Sequence, residues 1–441
     1  MARHWFVHTT LFLLSSAVSL PALAEDIVAE PRDEATFVFD QGKVQTYEIT
    51  VSKSDLAKID AKPSAEEWVR GSLKFNGKTY SPVGIRYKGS VGAFLSPCTG
   101  ASSPGIPPGK KLGKCSIKIG FDKYDASLRF YGLKTLNLHA MGRDETLIHE
   151  RLGYAMYREM GVAAPRAMHA RVEVNGALEG LFVAVEQADE VFTASRFVEG
   201  GKGNLYKEVW PMYGDAETYA KALETNKDRA DVDKMLGFKR AVDSGASAVT
   251  DKWIDRDYTL RYLVVDRLTI NDDGIMHWYC GAANGNNRGA YGNHNYYWYE
   301  SSERDRQFLV PWDLTSNFKE NETDFVHIQR PWFEPTNACT CGIDLLNLSF
   351  SMQRAAYCDP LIKIMASWKS EYDAMVTKFV TGPFAAKNVD AKLKAWEAQI
   401  RDVVAEESDL DQRLDFDSWE DGMDDLRRII SEARIHGGYW Y

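Results

Sequence analysis

Three polar residues late in the chain have the types and order that phosphoryl transfer uses: Asp273, Asn295 and Asp313. Asp273 ends the stretch RYLVVDRLTINDD, an apolar run closing on the paired carboxylates Asp272 and Asp273. Asn295 precedes the aromatics of NHNYYWYE, and Asp313 sits just past the apolar residues 308–311. A carboxylate facing an acceptor hydroxyl, with two hard oxygen ligands beside it, is what transfer from a magnesium nucleotide requires. The same residues also suit plainer work as a capping Asp, a turn Asn and an N-cap Asp, and spacing alone does not choose.

The elements that must hold them can be read from periodicity. Residues 296–311 form a hairpin pattern: a Tyr/Trp strand, the charged turn ESSERDR, then an apolar strand, so Asn295 and Asp313 fall at strand ends. Residues 254–270 carry a helical apolar face through Leu260, Leu263, Val264 and Leu268, which delivers the Asp pair at its end. Upstream, VQTYEITVS alternates like a half-buried strand. Hairpins turn at Asn76-Gly77 and Asn175-Gly176. CSIKIGFDKY is a strand with Lys118 opposite Ile117, Ile119 and Phe121, and LKTLNLHA is another. A helix over 144–160 is expected to stop at Gly161. Residues 189–251 read as polar and mostly helical, interrupted at 204–207. Gly281 to Asn293 reads as a Gly/Asn-rich inserted loop, and the chain beyond Pro360 as helical.

Composition narrows the class. The first residues carry a basic start, an apolar run and Ala22-Leu23-Ala24, a secretory signal pattern expected to be cleaved near Ala24. The expected product is secreted, periplasmic or at the cell surface, with no membrane span. The formal charge is −10, and losing the signal's single Arg takes it to about −11. Such an acidic chain disfavours nonspecific nucleic-acid binding. Six cysteines in an exported chain favour disulfides over zinc, with Cys98 and Cys115 the pair favoured by proximity.

Taken in order, VGIRYKGS, CSIKIGFDKY, FYGLKTLNLHA, ERLGYAMYREMGVAAPRA, VEVNGALEGLFVAVEQADEVF, INDDG, HNYYWY and VPWDLTSNF resemble the CotH kinase-like family of atypical secreted protein kinases. The resemblance implies an α+β fold of atypical, reduced protein-kinase-like two-lobe type. A nucleotide-gripping N-terminal lobe over 25–187 would follow the signal at 1–24, and a mainly helical lobe over 188–441 would carry the catalytic and metal residues. By position, Asp273 matches the family's catalytic aspartate, and Asn295 and Asp313 its metal ligands. Asn271 or Asn293 are alternatives to Asn295, because the inserted loop widens the spacing from Asp273. Lys118, or secondarily Lys114, matches the phosphate-side lysine, with Glu150 as its partner from the long helix. Glu186 and Gln187 fall where an adenine would be gripped. Arg86 and Lys88, before Gly89, could cover phosphates, since Gly lets backbone N–H groups approach them. One departure stands out: the family pattern has an acid two residues after the Trp-Asp pair, and Thr315 stands there.

The resulting expectation is a secreted phosphotransferase using ATP with Mg²⁺ or Mn²⁺ to phosphorylate a protein Ser/Thr hydroxyl. The competing readings are an inactive kinase-like surface or binding protein and a metal-dependent hydrolase.

Overall fold

The computed structural model describes residues 26–89, 98–99, 110, 113–142, 144–212, 214–245, 252–280, 292–318, 332–336, 339, 352–411 and 415–437. Seven strands build its first part: β1 (Gln45–Val51), β2 (Val69–Phe75), β3 (Lys78–Tyr87), β4 (Ile117–Gly120), β5 (Thr135–His139), β6 (Ala167–Val174) and β7 (Ala177–Glu186). The β2–β3 and β6–β7 turns sit where expected, with Asn76, Gly77, Asn175 and Gly176 all at positive φ, the backbone that two-residue hairpins demand.

The strands do not form an open sheet. β1 pairs antiparallel with β2 on one side and parallel with β6 on the other, with Gln45 opposite Ala170 and Ile49 opposite Val174. That pairing closes a barrel in the order β1-β2-β3-β4-β5-β7-β6. The α+β class stands, but the two-lobe protein-kinase-like fold is overturned. A closed barrel with helices packed around it takes its place, and closure leaves no edge strand exposed. Alternation decides what faces where. Tyr47, Leu73, Ile85, Ile119 and Leu138 fill the interior, while Arg86, Lys118 and Asn137 stand opposite one another on the outer wall.

The second part packs against that wall. β8 (Asn204–Lys207), β10 (Tyr296–Glu300) and β11 (Gln307–Pro311) make a three-stranded sheet in the order β11-β10-β8. A short pair joins β9 (Trp278–Cys280) to β12 (Met352–Arg354). The 204–207 interruption is therefore a strand of the hairpin's own sheet. The buried helix runs Arg256–Leu268, capped by Asp255 accepting from the Tyr258 amide at 2.8 Å. The helix expected over 144–160 spans only His149–Glu159. Leu147 lies at φ +59°, and Asp144 instead gathers the amides of Thr146, Leu147 and His149 at 2.7–3.0 Å, ending any helix there.

The long Ala386–Asp411 helix returns to the barrel. Glu407 accepts from Lys114 Nζ at 2.8 Å and from the Leu181 amide at 2.6 Å. Gly180 is what allows this approach, because a Cβ there would lie 2.6 Å from Glu407 Oε2. Cys98 and Cys115 are joined, as are Cys339 and Cys358. No cysteine is free among the described residues. No helix among them is long and apolar enough to cross a membrane. The inserted-loop residues 281–291 lie outside the described residues.

Candidate functional site

The β10–β11 register pairs Tyr296 with Pro311, so Asn295 and Asp313 leave the hairpin at the same end. The Trp312 amide donates to the Asn295 carbonyl at 3.0 Å, tying the two exits together. Both residues lie in the left-handed region, Asn295 at φ +62° and Asp313 at φ +47°. Asn and Asp tolerate that region better than other side chains. The Asp313 amide donates to Tyr154 Oη at 3.1 Å. The turn after it presses onto the His149–Glu159 helix at Gly153, where a Cβ would lie 2.9 Å from Asn317 Nδ2 and 3.0 Å from Leu314 Cδ1.

Asp273 reaches the same place from the buried helix. Gly274 permits the turn, since a Cβ there would meet Asn271 Nδ2 at 2.3 Å. Asn295 Nδ2 donates to Asp273 Oδ2 at 2.9 Å and to its carbonyl at 3.0 Å, and Tyr279 Oη donates to Oδ1 at 2.5 Å. Burial, with the charge of Asp313 adding to it, pushes the Asp273 carboxyl above the usual range even though Tyr279 and Asn295 pull the other way. Asp272 is placed differently: its carbonyl accepts from His277, and its amide points at the Ser316 carbonyl. The alternatives to Asn295 are engaged elsewhere. Asn271 donates to Asp266 at 2.9 Å and Asn293 to the Ile275 carbonyl at 2.8 Å.

The donors that remain suit a hard cation. The Asn295 amide nitrogen faces Asp273, which turns its Oδ1 the other way. Thr315 Oγ1 donates to Asp313 Oδ1 at 2.8 Å, leaving Oδ2 for another partner. Thr315 thus orients Asp313 by a hydroxyl where the family pattern has an acid. Among the described residues no three His, Cys, Asp or Glu side chains are grouped to hold a metal ion. A cation here would take its other oxygens from phosphate and water, the usual habit of Mg²⁺.

The barrel wall supplies the cations. Arg86, Lys118 and Asn137 align across β3, β4 and β5. Lys118 makes no ion pair among the described residues, and burial, reinforced by Arg86, lowers its pKa. Arg86 pairs with Glu66, whose Oε1 also accepts from the Gly89 amide at 3.1 Å. Lys88 lies in the next row, its Nζ 2.6 Å from His139 Nε2 and over the Trp312 ring at 5.4 Å. Glu150 does not meet Lys118. Its carboxylate lies 2.8 and 3.0 Å from His139 Nδ1, so it reaches Lys88 through the imidazole.

Glu186 and Gln187 divide. Glu186 is buried against Arg166 and Arg196 and accepts from the Arg166 amide at 3.0 Å. Burial pushes its pKa up, but Arg196 and then Arg166 outweigh it and leave the carboxyl below the usual range. Its oxygens are filled by this network, a structural role that offers nothing to a base. Gln187 stays with the site, accepting from Asn137 Nδ2 at 3.2 Å. Lys114 is taken up by Glu407.

Sequence reasoning missed Asn137, His139, Tyr279 and Glu208, whose Oε1 accepts from the Asn295 amide at 3.2 Å. Alternation in LKTLNLHA does place Asn137 and His139 on one face, outward beside Lys118. Tyr279 and Glu208 had no such signal.

Comparison with known proteins identifies a family and a relative. The family described as CotH kinase protein matches residues 85–434. The inner spore coat protein H of Bacillus subtilis (strain 168) is 24% identical over 311 residues, covering 66% of this chain and 75% of that protein.

Proposed function

This chain belongs to the CotH kinase protein family, and from that premise we propose that it transfers the γ-phosphate of ATP to a Ser/Thr hydroxyl of a protein. The observation that carries the reading is the convergence at the hairpin end: Asn295 bridges to Asp273 at 2.9 Å while sharing its strand exit with Asp313.

In this reading Asp273 Oδ2 or Oδ1 accepts the proton of the acceptor hydroxyl as its oxygen bonds to the γ-phosphorus. The bond from that phosphorus to the β–γ bridging oxygen breaks, and ADP leaves. A carboxyl held above the ordinary range by burial is a better proton acceptor than a free aspartate. Asn295 and Asp313 would hold Mg²⁺ or Mn²⁺, which neutralises phosphate charge when bound. Lys118 and Lys88 face the phosphates from the barrel wall, where fixed cations stabilise developing charge without reorganising. Gln187 and Asn137 lie where the base would end. The signal-like pattern of the first residues and the disulfides support the reading of an exported protein acting on exported acceptors.

The test is incubation with labelled ATP, Mg²⁺ or Mn²⁺ and a panel of exported proteins, with autophosphorylation read in parallel. Label on Ser or Thr that disappears in Asp273→Asn supports the reading. Phosphate release without labelled acceptor points to hydrolysis. Absence of both, with no protection on heating with ATP and metal, refutes it.

A further inference from the structure

Lys88, His139 and Glu150 form a line of hydrogen bonds that the phosphotransfer roles above do not require. It begins at Glu150, fully buried on the first turn of the His149–Glu159 helix. It passes through the buried ring of His139 at the end of β5 and ends at Lys88, half-buried beyond the end of β3. Trp312 closes one side, its ring perpendicular to the imidazole at 5.9 Å.

We propose, resting on the phosphotransfer reading, that His139 is a positioning residue that transmits the Glu150 carboxylate to Lys88 and makes Lys88 the helix-addressed cation at the phosphates. The hydrogen-bond directions follow from the donors available. A Lys88 ammonium has only N–H to offer, so Nε2 must be bare and the ring's single proton sits on Nδ1, donating to Glu150. Burial and then the charge of Lys88 keep the imidazole neutral, well below its ordinary pKa. The line can also shift as a unit: Lys88 gives a proton to Nε2 while Nδ1–H passes to the carboxylate, leaving all three groups neutral with the same number of protons. Burial, with the charges of Lys118 and Lys207 adding to it and those of Asp313 and Glu150 opposing it, brings the Lys88 pKa down to about 8. Burial, then Asp313, lifts Glu150, which Asp144 also faces. An arriving phosphate favours the charge-separated arrangement, because it supplies the anion that Lys88 lacks. Lys118 has no such connection. The charges that act most on it are those of Arg86, Glu224, Asp189 and Glu66.

The experiment is a double-mutant cycle on MgATP affinity, measured by calorimetry. Lys88→Met and Glu150→Gln are each expected to weaken binding, and together by about fivefold less than the product of the two effects. In a His139→Leu background that coupling should fall below about twofold. His139→Gln should keep part of it, since an amide can accept from Lys88 and donate to Glu150. Coupling that survives His139→Leu, or that links Glu150 to Lys118→Met instead, overturns the proposal. The same cycle on urea unfolding of the ligand-free chain separates two failures. Coupling in unfolding but none in intact MgATP binding reduces the line to a structural role and overturns the proposal. A wild-type chain that binds no MgATP refutes the phosphotransfer reading, and with it Lys88's place at the phosphates, whatever the unfolding cycle shows of the line itself.

Discussion

Replacing Asp273 by Asn separates chemistry from folding unusually well, because the neighbours of Asp273 accommodate the amide. Today Oδ1 accepts from Tyr279 Oη and Oδ2 from Asn295 Nδ2. An Asn can keep its oxygen toward Asn295 and turn its NH₂ toward Tyr279, whose hydroxyl can accept as well as donate. Both contacts survive, so the stability change should stay within about 1 kcal/mol. Its sign follows from linkage. A carboxyl whose folded pKa is raised weakens the fold once pH passes its unfolded value, with the full cost above the folded value. At neutral pH the neutral Asn removes that cost, so unfolding should be unchanged or slightly harder. The proton acceptor, however, is gone, and turnover should fall about 100- to 10,000-fold, roughly 3–5 kcal/mol of barrier. Transfer from labelled ATP, ATP affinity and urea unfolding are measured on the same samples, with Asp272→Asn as the control. Turnover equal to wild type refutes the assignment. So does a loss of activity that merely tracks a loss of fold.

Four further outcomes are expected. Asp313→Ala should abolish the thermal shift produced by metal with ATP; an undiminished shift makes Asp313 a turn residue only. Tyr279→Phe removes a donor that holds the Asp273 pKa down, so the acid limb of kcat/KM against pH should move to higher pH, and an unmoved limb contradicts it. Glu186→Gln leaves Arg196 buried without its carboxylate and Arg166 with Asp33 alone, and should cost about 3–5 kcal/mol in urea unfolding at neutral pH. Because the Glu186 pKa is lowered, that stabilisation is full above the unfolded value and fades as pH falls through the folded one; a penalty that does not shrink in acid refutes this. Removing the Cys98–Cys115 bridge, which closes a separation of 17 residues, should cost about 3 kcal/mol, read as a lower urea midpoint of the Cys98→Ser, Cys115→Ser chain.

What was legible in the sequence is what local pattern controls. Two Asn-Gly turns and strict alternation identified the β2–β3 and β6–β7 hairpins, and the Tyr/Trp strand placed Asn295 and Asp313 at one end of a third. The barrel was not legible. Its closure depends on β1 lying parallel to β6, more than a hundred residues away, and a parallel pairing leaves no turn behind to announce it. The partner of Glu150 was missed for a related reason. Helix position puts Glu150 toward the wall, but which of Lys88, Lys118 and His139 it meets depends on how β3, β4 and β5 stack there. Glu186 illustrates the reverse case: a carboxylate at the end of an apolar strand invites a ligand role, while its two arginines come from residues 166 and 196 on either side of β7.

Several left-handed residues lie where these segments meet. Ile270 at φ +50° precedes Asn271 and Asp273, Leu147 at φ +59° precedes Glu150, and Asn295 and Asp313 are themselves left-handed. For a bulky residue such as Ile or Leu that conformation costs about 1–2 kcal/mol, and the surrounding packing must over-determine it. At Ile270 the restraint is visible: its amide bonds the Arg267 carbonyl, the Asn271 amide bonds that of Asp266 at 3.0 Å, and Phe318 bonds the Thr269 carbonyl from the far side at 2.6 Å. Glycine would serve the turn at lower backbone cost, so the turn alone does not explain Ile270. Its partly buried side chain packs on the core, which stiffens the one short segment that aims Asp273 at Asn295. Ile270→Gly should then relieve the local strain but lose that packing and loosen the aim, lowering transfer more than ATP binding. If transfer and binding fall together, or neither changes, Ile270 has no part in positioning Asp273.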